Sequence, residues 1–176
     1  ESRLIEAFMG LLDLADGRLG AAQVTALLET PWVRRKFGLD EADMGRIRRW
    51  IRDVRIRWGI DGRGRAALGL PDIADHTWRA GLDRLLMGYA MAGRGCRTFD
   101  GVLPFDPMEG SETDALGGFL EFTDRLFSHV EDLPTPRTPA EWAGFLNGIV
   151  DAFFEIDAAA EKEIQIIGVA VADLAE

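Results

Sequence analysis

The sequence predicts an all-α, irregular multi-helix domain, on three observations. Apolar residues recur at helical spacing in block after block. Gly, Pro and Asp punctuate those blocks at short intervals. Almost no stretch alternates polar with apolar as a strand would. At 176 residues, with 47% hydrophobic and 28% charged content, the chain is long enough to bury a core and too apolar for general disorder.

The first block, Ser2–Leu14, sets Leu4, Ile5, Phe8, Leu11 and Leu12 on one helical face until Asp16, Gly17 and Gly20 break it. A second helix follows with Val24, Leu27 and Leu28 inward, and Pro31 is expected to close it. Asp40 reads as an N-cap with Asp43 three residues on. It opens a helix with Met44, Ile47, Trp50, Ile51 and Val54 inward and arginines on its other faces. "RIRWGID" ends that helix, and a Gly- and Pro-rich stretch, expected to be loop, runs to Asp75.

Asp75 or Thr77 can cap the next helix, whose apolar stripe is Trp78, Leu82, Leu85, Leu86 and Tyr89; Gly93–Gly95 stops it. "RTFDGVLPFDPMEG" is expected to be irregular, with an extended piece at Thr98–Leu103. Ser111 is expected to cap a helix facing inward through Leu116, Phe119, Leu120, Thr123, Phe127 and Val130. The proline-rich run at 133–139 could mark a sub-boundary within one domain spanning 1–176. "TPAEW" has the form of a capping box with Pro at the first helical position. Trp142, Phe145, Leu146, Ile149 and Phe153 then face inward, and a last helix is expected from about Asp157, through Ile164, Ile167, Val171 and Leu174. Seven or so helices result.

Charge is divided along the chain. Trp32–Arg65 holds eleven basic and five acidic residues, whereas Phe99–Glu176 holds three basic and seventeen acidic, within an overall net charge of −10. Such runs are commonly solvated faces, but a basic surface can also meet a polyanion. Cys96 is the single cysteine, so no disulfide framework is possible within the chain, which fits a cytoplasmic setting. No apolar run approaches the roughly 20 residues of a membrane span. The chain starts at Glu1, inside a helical pattern and without an initiator Met, and is expected to be a piece of a longer protein.

Catalytic chemistry finds little purchase. His76 and His129 are the only histidines, far apart, and no metal site or cofactor is expected. Cys96 has arginine neighbours but no nearby histidine. "GRGRAALG" lacks the GK[ST] of a P-loop and follows no hydrophobic strand. Asp100 and Asp106 read as turn residues. What remains is arginine: Arg46, Arg48, Arg49, Arg52, Arg55, Arg57, Arg63 and Arg65, with Trp58 among them, are the candidate contacts to nucleic acid or to a partner protein. Trp50 and Trp78, at helical spacing, are expected in the core.

Six segments occur in a telling order: "LLETPWVRRKFGLDEADMGRIRRWI", "RIRWGIDGRGRAALGLP", "HTWRAGLDRLLMGYAM", "GVLPFDPMEGSE", "LGGFLEFTDRLF" and "PRTPAEWAGFL". Over about Leu4 to Phe154 the chain resembles the gamma subunits of exodeoxyribonuclease V, the RecC family of bacterial RecBCD complexes. The resemblance implies a fold like the helical accessory subdomain of a superfamily 1 helicase, without ATPase motifs. It implies RecB-like and RecD-like partners, DNA as ligand, and a scaffold that splits strands and scans one for Chi while partner chains unwind and degrade DNA. No catalytic or Chi-reading residue carries over onto this segment, which is expected to be inactive alone. The alternative is a module that docks a partner subunit without touching DNA, its arginines matched by acids.

Overall fold

The computed structural model describes residues 3–90, 103–105, 112–158 and 160–173. The regular structure of the described residues is all helical, with no strand, in nine helices joined by turns and loops. These are α1 (Arg3–Asp16), α2 (Ala21–Glu29), α3 (Pro31–Lys36), α4 (Glu41–Asp53), α5 (Gly62–Ala67), α6 (Trp78–Ala90), α7 (Thr113–Asp132), α8 (Pro139–Phe153) and α9 (Glu161–Asp173).

Several elements depart from expectation. Pro31 does not simply close α2; with φ preset for the first helical turn, it opens the short α3. The glycine-rich "GRGRAA" is α5 rather than loop, because the Asp61 carboxylate accepts the Gly64 N–H at 2.7 Å and nucleates a turn. The last helix begins at Glu161, not near Asp157, whose carboxylate instead accepts the Ala160 N–H. Leu86 and Tyr89, expected inside, are each 42% exposed. The Cys96, Asp100, Asp106 and Ser111 readings, with most of the Thr98–Leu103 piece, lie outside the described residues.

The caps expected at Asp40 and Thr138 form. Asp40 accepts the Asp43 N–H while Asp43 accepts the Asp40 N–H, and Thr138 and Glu141 do the same for α8. Thr77 precedes α6, and its hydroxyl accepts the Ala80 N–H at 3.4 Å.

The core is organised around α7. Phe119 meets Trp50 of α4 and Trp78 of α6; Phe122 meets Phe37 and Phe153; Phe127 meets Trp78, with centroids 5.3–6.4 Å apart. Trp78 also donates its indole N–H to the Leu19 carbonyl at 2.7 Å, tying α6 to the α1–α2 turn. The proline-rich run is held down by Arg137, which donates to the carbonyls of Asp132 and Thr135 and lies over Phe145 at 4.0 Å. Two of the ties between distant parts of the chain join α3 to the segment after α8: Arg35 to Asp157 at 2.6 Å, and the Glu155 N–H to the Trp32 carbonyl at 3.0 Å.

Gly118 lets α7 approach the Phe37 carbonyl and the Leu39 side chain; a Cβ there would overlap both. Gly118→Ala is therefore expected to destabilise by about 1–3 kcal/mol. Gly117→Ala, which points into open space, should gain up to about 1 kcal/mol from helix propensity. Urea midpoints at unchanged slope distinguish the two.

The capping hydrogen bonds, chiefly from the Asp43 N–H to Asp40 and from the Thr138 N–H to Glu141, hold both carboxyls below the ordinary carboxylate range. Asp157 is lowered likewise, mainly by Arg35. A folded pKa below the unfolded value stabilises above the unfolded value, near 4, and this is lost as pH falls through the folded pKa. The urea midpoint should fall as pH is lowered from 6 to 3, and Glu141→Gln should flatten that fall.

Candidate nucleic-acid interface

The arginines of α4 and the segment after it occupy different environments. Arg46 pairs with Asp43 at 2.6 Å, one turn back on the same helix. Arg49 reaches across to Glu112 at 2.7 Å, and the Arg46 Nε stands 3.9 Å from the same carboxylate oxygen. Glu112 is buried at the start of α7, where the helix dipole favours its charge. Arg48 pairs with Glu29 at 2.6 Å, and that hydrogen bond, with the attraction of the charge, raises the Arg48 pKa further. Much of the basic face of α4 is thus matched by acids, one of them from the acidic half of the chain.

Beyond α4 the backbone takes a course that carries no mark in the sequence. Residues Arg57 to Ile60 form a connector hydrogen-bonded on both sides without being a strand. On one side the Ala21 N–H donates to the Arg57 carbonyl and the Gly59 N–H to the Arg18 carbonyl, both at 2.8 Å. On the other, the Arg57 N–H donates to His76, the Trp78 N–H to Gly59 and the Arg79 N–H to Ile60, all at 2.9 Å.

Three non-glycine residues around this connector adopt left-handed backbone: Leu19 (φ 49°), Arg55 (φ 61°) and His76 (φ 64°). That conformation costs an ordinary residue about 1–2 kcal/mol. The cost is offset locally: His76 Nδ1 hydrogen-bonds the Arg55 carbonyl at 3.1 Å, and the Leu19 carbonyl takes the Trp78 indole. Gly59 (φ 78°) completes the turn where an L side chain would be strained.

Arg65 locks the inner side. It is only 8% exposed and donates to the carbonyls of Trp58, Ile73 and Asp75 at 2.8–3.0 Å. Its guanidinium lies over the Trp58 ring at 4.3 Å, with that of Arg18 at 5.6 Å. Trp58 is half-buried, its ring occupied by these cations. Arg65 therefore serves the interior.

Arg52, Arg55, Arg57 and Arg63 remain exposed. Among the described residues Arg52 pairs with its neighbour Asp53, at 3.3 Å, and Arg55, Arg57 and Arg63 have no ion-pair partner. Arg18, outside the basic stretch in sequence, joins them through the Gly59 contact; a window drawn on charge density alone passes over it. His76 is spent on backbone and His129 packs against Phe145 and Phe153. Among the described residues no cluster of three His, Cys, Asp or Glu side chains could hold a metal ion. No described helix is long and apolar enough to cross a membrane.

The family model for the fourth domain of RecC, a subunit of the RecBCD enzyme, matches residues 1–176. The chain belongs to the RecC family. The RecC subunit of Escherichia coli K12 is 34% identical over 165 residues, covering 93% of this chain and 14% of that protein. RecC of Mycobacterium tuberculosis CDC 1551 is 34% identical over 148 residues, 84% of this chain and 14% of its own length. A more divergent RecC, from Buchnera aphidicola subsp. Acyrthosiphon pisum, is 28% identical over 164 residues, 93% of this chain and 15% of that protein. The chain thus spans a small part of the curated RecC proteins it matches.

Arg65→Ala strands three carbonyls and is expected to cost about 2–4 kcal/mol, whereas Arg63→Ala should stay within about 0.5 kcal/mol of the parent. Arg55→Gly, which relieves the left-handed backbone, should leave the melting temperature unchanged or higher. Thermal melts of the three variants check this.

Proposed function

We propose that this chain is a non-catalytic segment of a RecC-like exodeoxyribonuclease V gamma subunit. On this reading it helps to shape a DNA channel and to scaffold a cytoplasmic helicase–nuclease complex in double-strand break repair and recombination. Its partners are RecB-like and RecD-like subunits and DNA, and its fold acts as a helicase-like accessory subdomain. The unwinding and cleavage chemistry lies in other chains, so the segment alone turns over neither ATP nor DNA.

The observation that carries the DNA contact is the set of exposed cations, Arg52, Arg55, Arg57 and Arg63 with Arg18, along and beside a connector braced on both flanks. Guanidiniums suit phosphate oxygens, and a braced backbone holds them with little ordering cost on binding. With the Trp58 ring already covered by Arg65 and Arg18, the surface favours phosphates over stacked bases.

A second reading, docking of a partner subunit, has its own support. Leu68 (61%), Leu70 (40%) and Ile73 (51%) are exposed on the turn that Arg65 anchors, and Arg46, Arg48 and Arg49 are already neutralised.

Binding of duplex ends and single strands should weaken steeply with salt. On duplex DNA the logarithmic slope should shrink by roughly 0.9 for each phosphate that a variant no longer neutralises. The triple variant Arg55→Glu, Arg57→Glu, Arg63→Glu is expected to lose most affinity and most of that slope in fluorescence-anisotropy titrations at two salt concentrations. Unchanged binding by the triple variant would remove the DNA contact from this surface and leave the docking reading.

A further inference from the structure

Away from the arginine connector, a groove of about 550 Å³ lies between α1 and α2. Its floor is apolar: Ala7, Leu14 and Leu27 are buried there. Trp32 forms part of the lining and is fixed from behind, its carbonyl accepting the Glu155 N–H at 3.0 Å. The groove is thus preformed. Gly10 contributes no side chain, and a Cβ added there would meet nothing within 4 Å.

The rim is charged, and mostly of one sign. Glu6 and Asp13 stand two turns apart on the exposed side of α1, with no ion-pair partner among the described residues. Glu29 lines the α2 side while paired to Arg48. Arg3 is the one basic residue among the described lining residues. Ala7 to Leu14 spans about 10 Å of helix at 1.5 Å per residue, room for about two turns of a second helix.

We propose that this groove docks an amphipathic α-helix of a partner protein, one with small apolar residues on its buried face and lysine or arginine on its flanks. The floor takes the apolar face, and Glu6 and Asp13 meet the basic flanks. This inference stands independently of DNA binding by the connector.

The test uses the whole chain labelled with 5-fluorotryptophan. The probe is a synthetic helical peptide of about 18 residues, five turns, with Ala and Leu on one face and Lys on the flanks. A scrambled peptide of the same composition and a Glu-flanked version are the controls. The Lys-flanked peptide is expected to bind and to shift the Trp32 fluorine resonance while leaving Trp58 in place. Gly10→Met, which fills open space and so keeps the fold, should weaken binding at least about tenfold, as removal of a central packing site does.

Glu6→Gln with Asp13→Asn should weaken it too and reduce its salt dependence. Absence of binding, equal binding of the scrambled or Glu-flanked peptide, or full affinity in Gly10→Met would overturn the proposal. Self-association abolished by Gly10→Met would assign the groove to a second copy and overturn it as well.

Discussion

The aromatic face of α7 is the constraint on which the other helices depend. Phe119, Phe122 and Phe127 lie on one helix, yet between them they touch Trp50, Trp78, Phe37 and Phe153. Each partner belongs to a different element, so α4, α6, the end of α3 and α8 are positioned against a common reference. Rings of this size tolerate little displacement in a close-packed interior. Gly118, on the same helix, brings the backbone after α3 close enough for Phe37 to reach Phe122. The connector beside the exposed arginines accepts the Trp78 N–H at Gly59, so its position is also tied to α7 through Trp78.

Charge is apportioned by that packing. Where α4 faces α7 and α2, its arginines find Glu112 and Glu29; where the chain leaves α4, the cations stay open to solvent. Arg65 shows that residue type alone does not assign a role. It belongs to the same basic stretch as Arg63, yet it closes a turn from inside while Arg63 stays outside. The allocation of each guanidinium is a property of this packing.

The helices are largely legible in the sequence because their apolar spacing and caps are local. Asp40 with Asp43, and Thr138 with Glu141, form where the pattern puts them. Trp50 and Trp78 are fully buried, as their spacing indicates. The short α3 and α5 escape such a reading because each rests on one local event, a preset proline φ or a single Asp61 cap, inside a run that reads as a breaker. Within the candidate surface, the fates of Arg49 and Arg65 are illegible: their partners lie 63 residues away in one case and on backbone carbonyls in the other. The left-handed backbone at Arg55 and His76 carries no compositional mark, since neither residue is a glycine or asparagine.

The ties between early and late parts of the chain also bear on how it folds. Arg35 and Asp157 are separated by 122 residues, and the Leu4 N–H, in the first turn of α1, donates to the Glu163 carboxylate 159 residues away. Helical proteins usually fold fast because their contacts are local. Here the α1–α9 contact closes a long loop, the Leu4–Glu163 bond spanning 159 residues, at an entropic cost that grows only slowly with loop length. The α1–α9 seam, with the contact between α8 and α9, ties the two ends of the described residues into one packed unit.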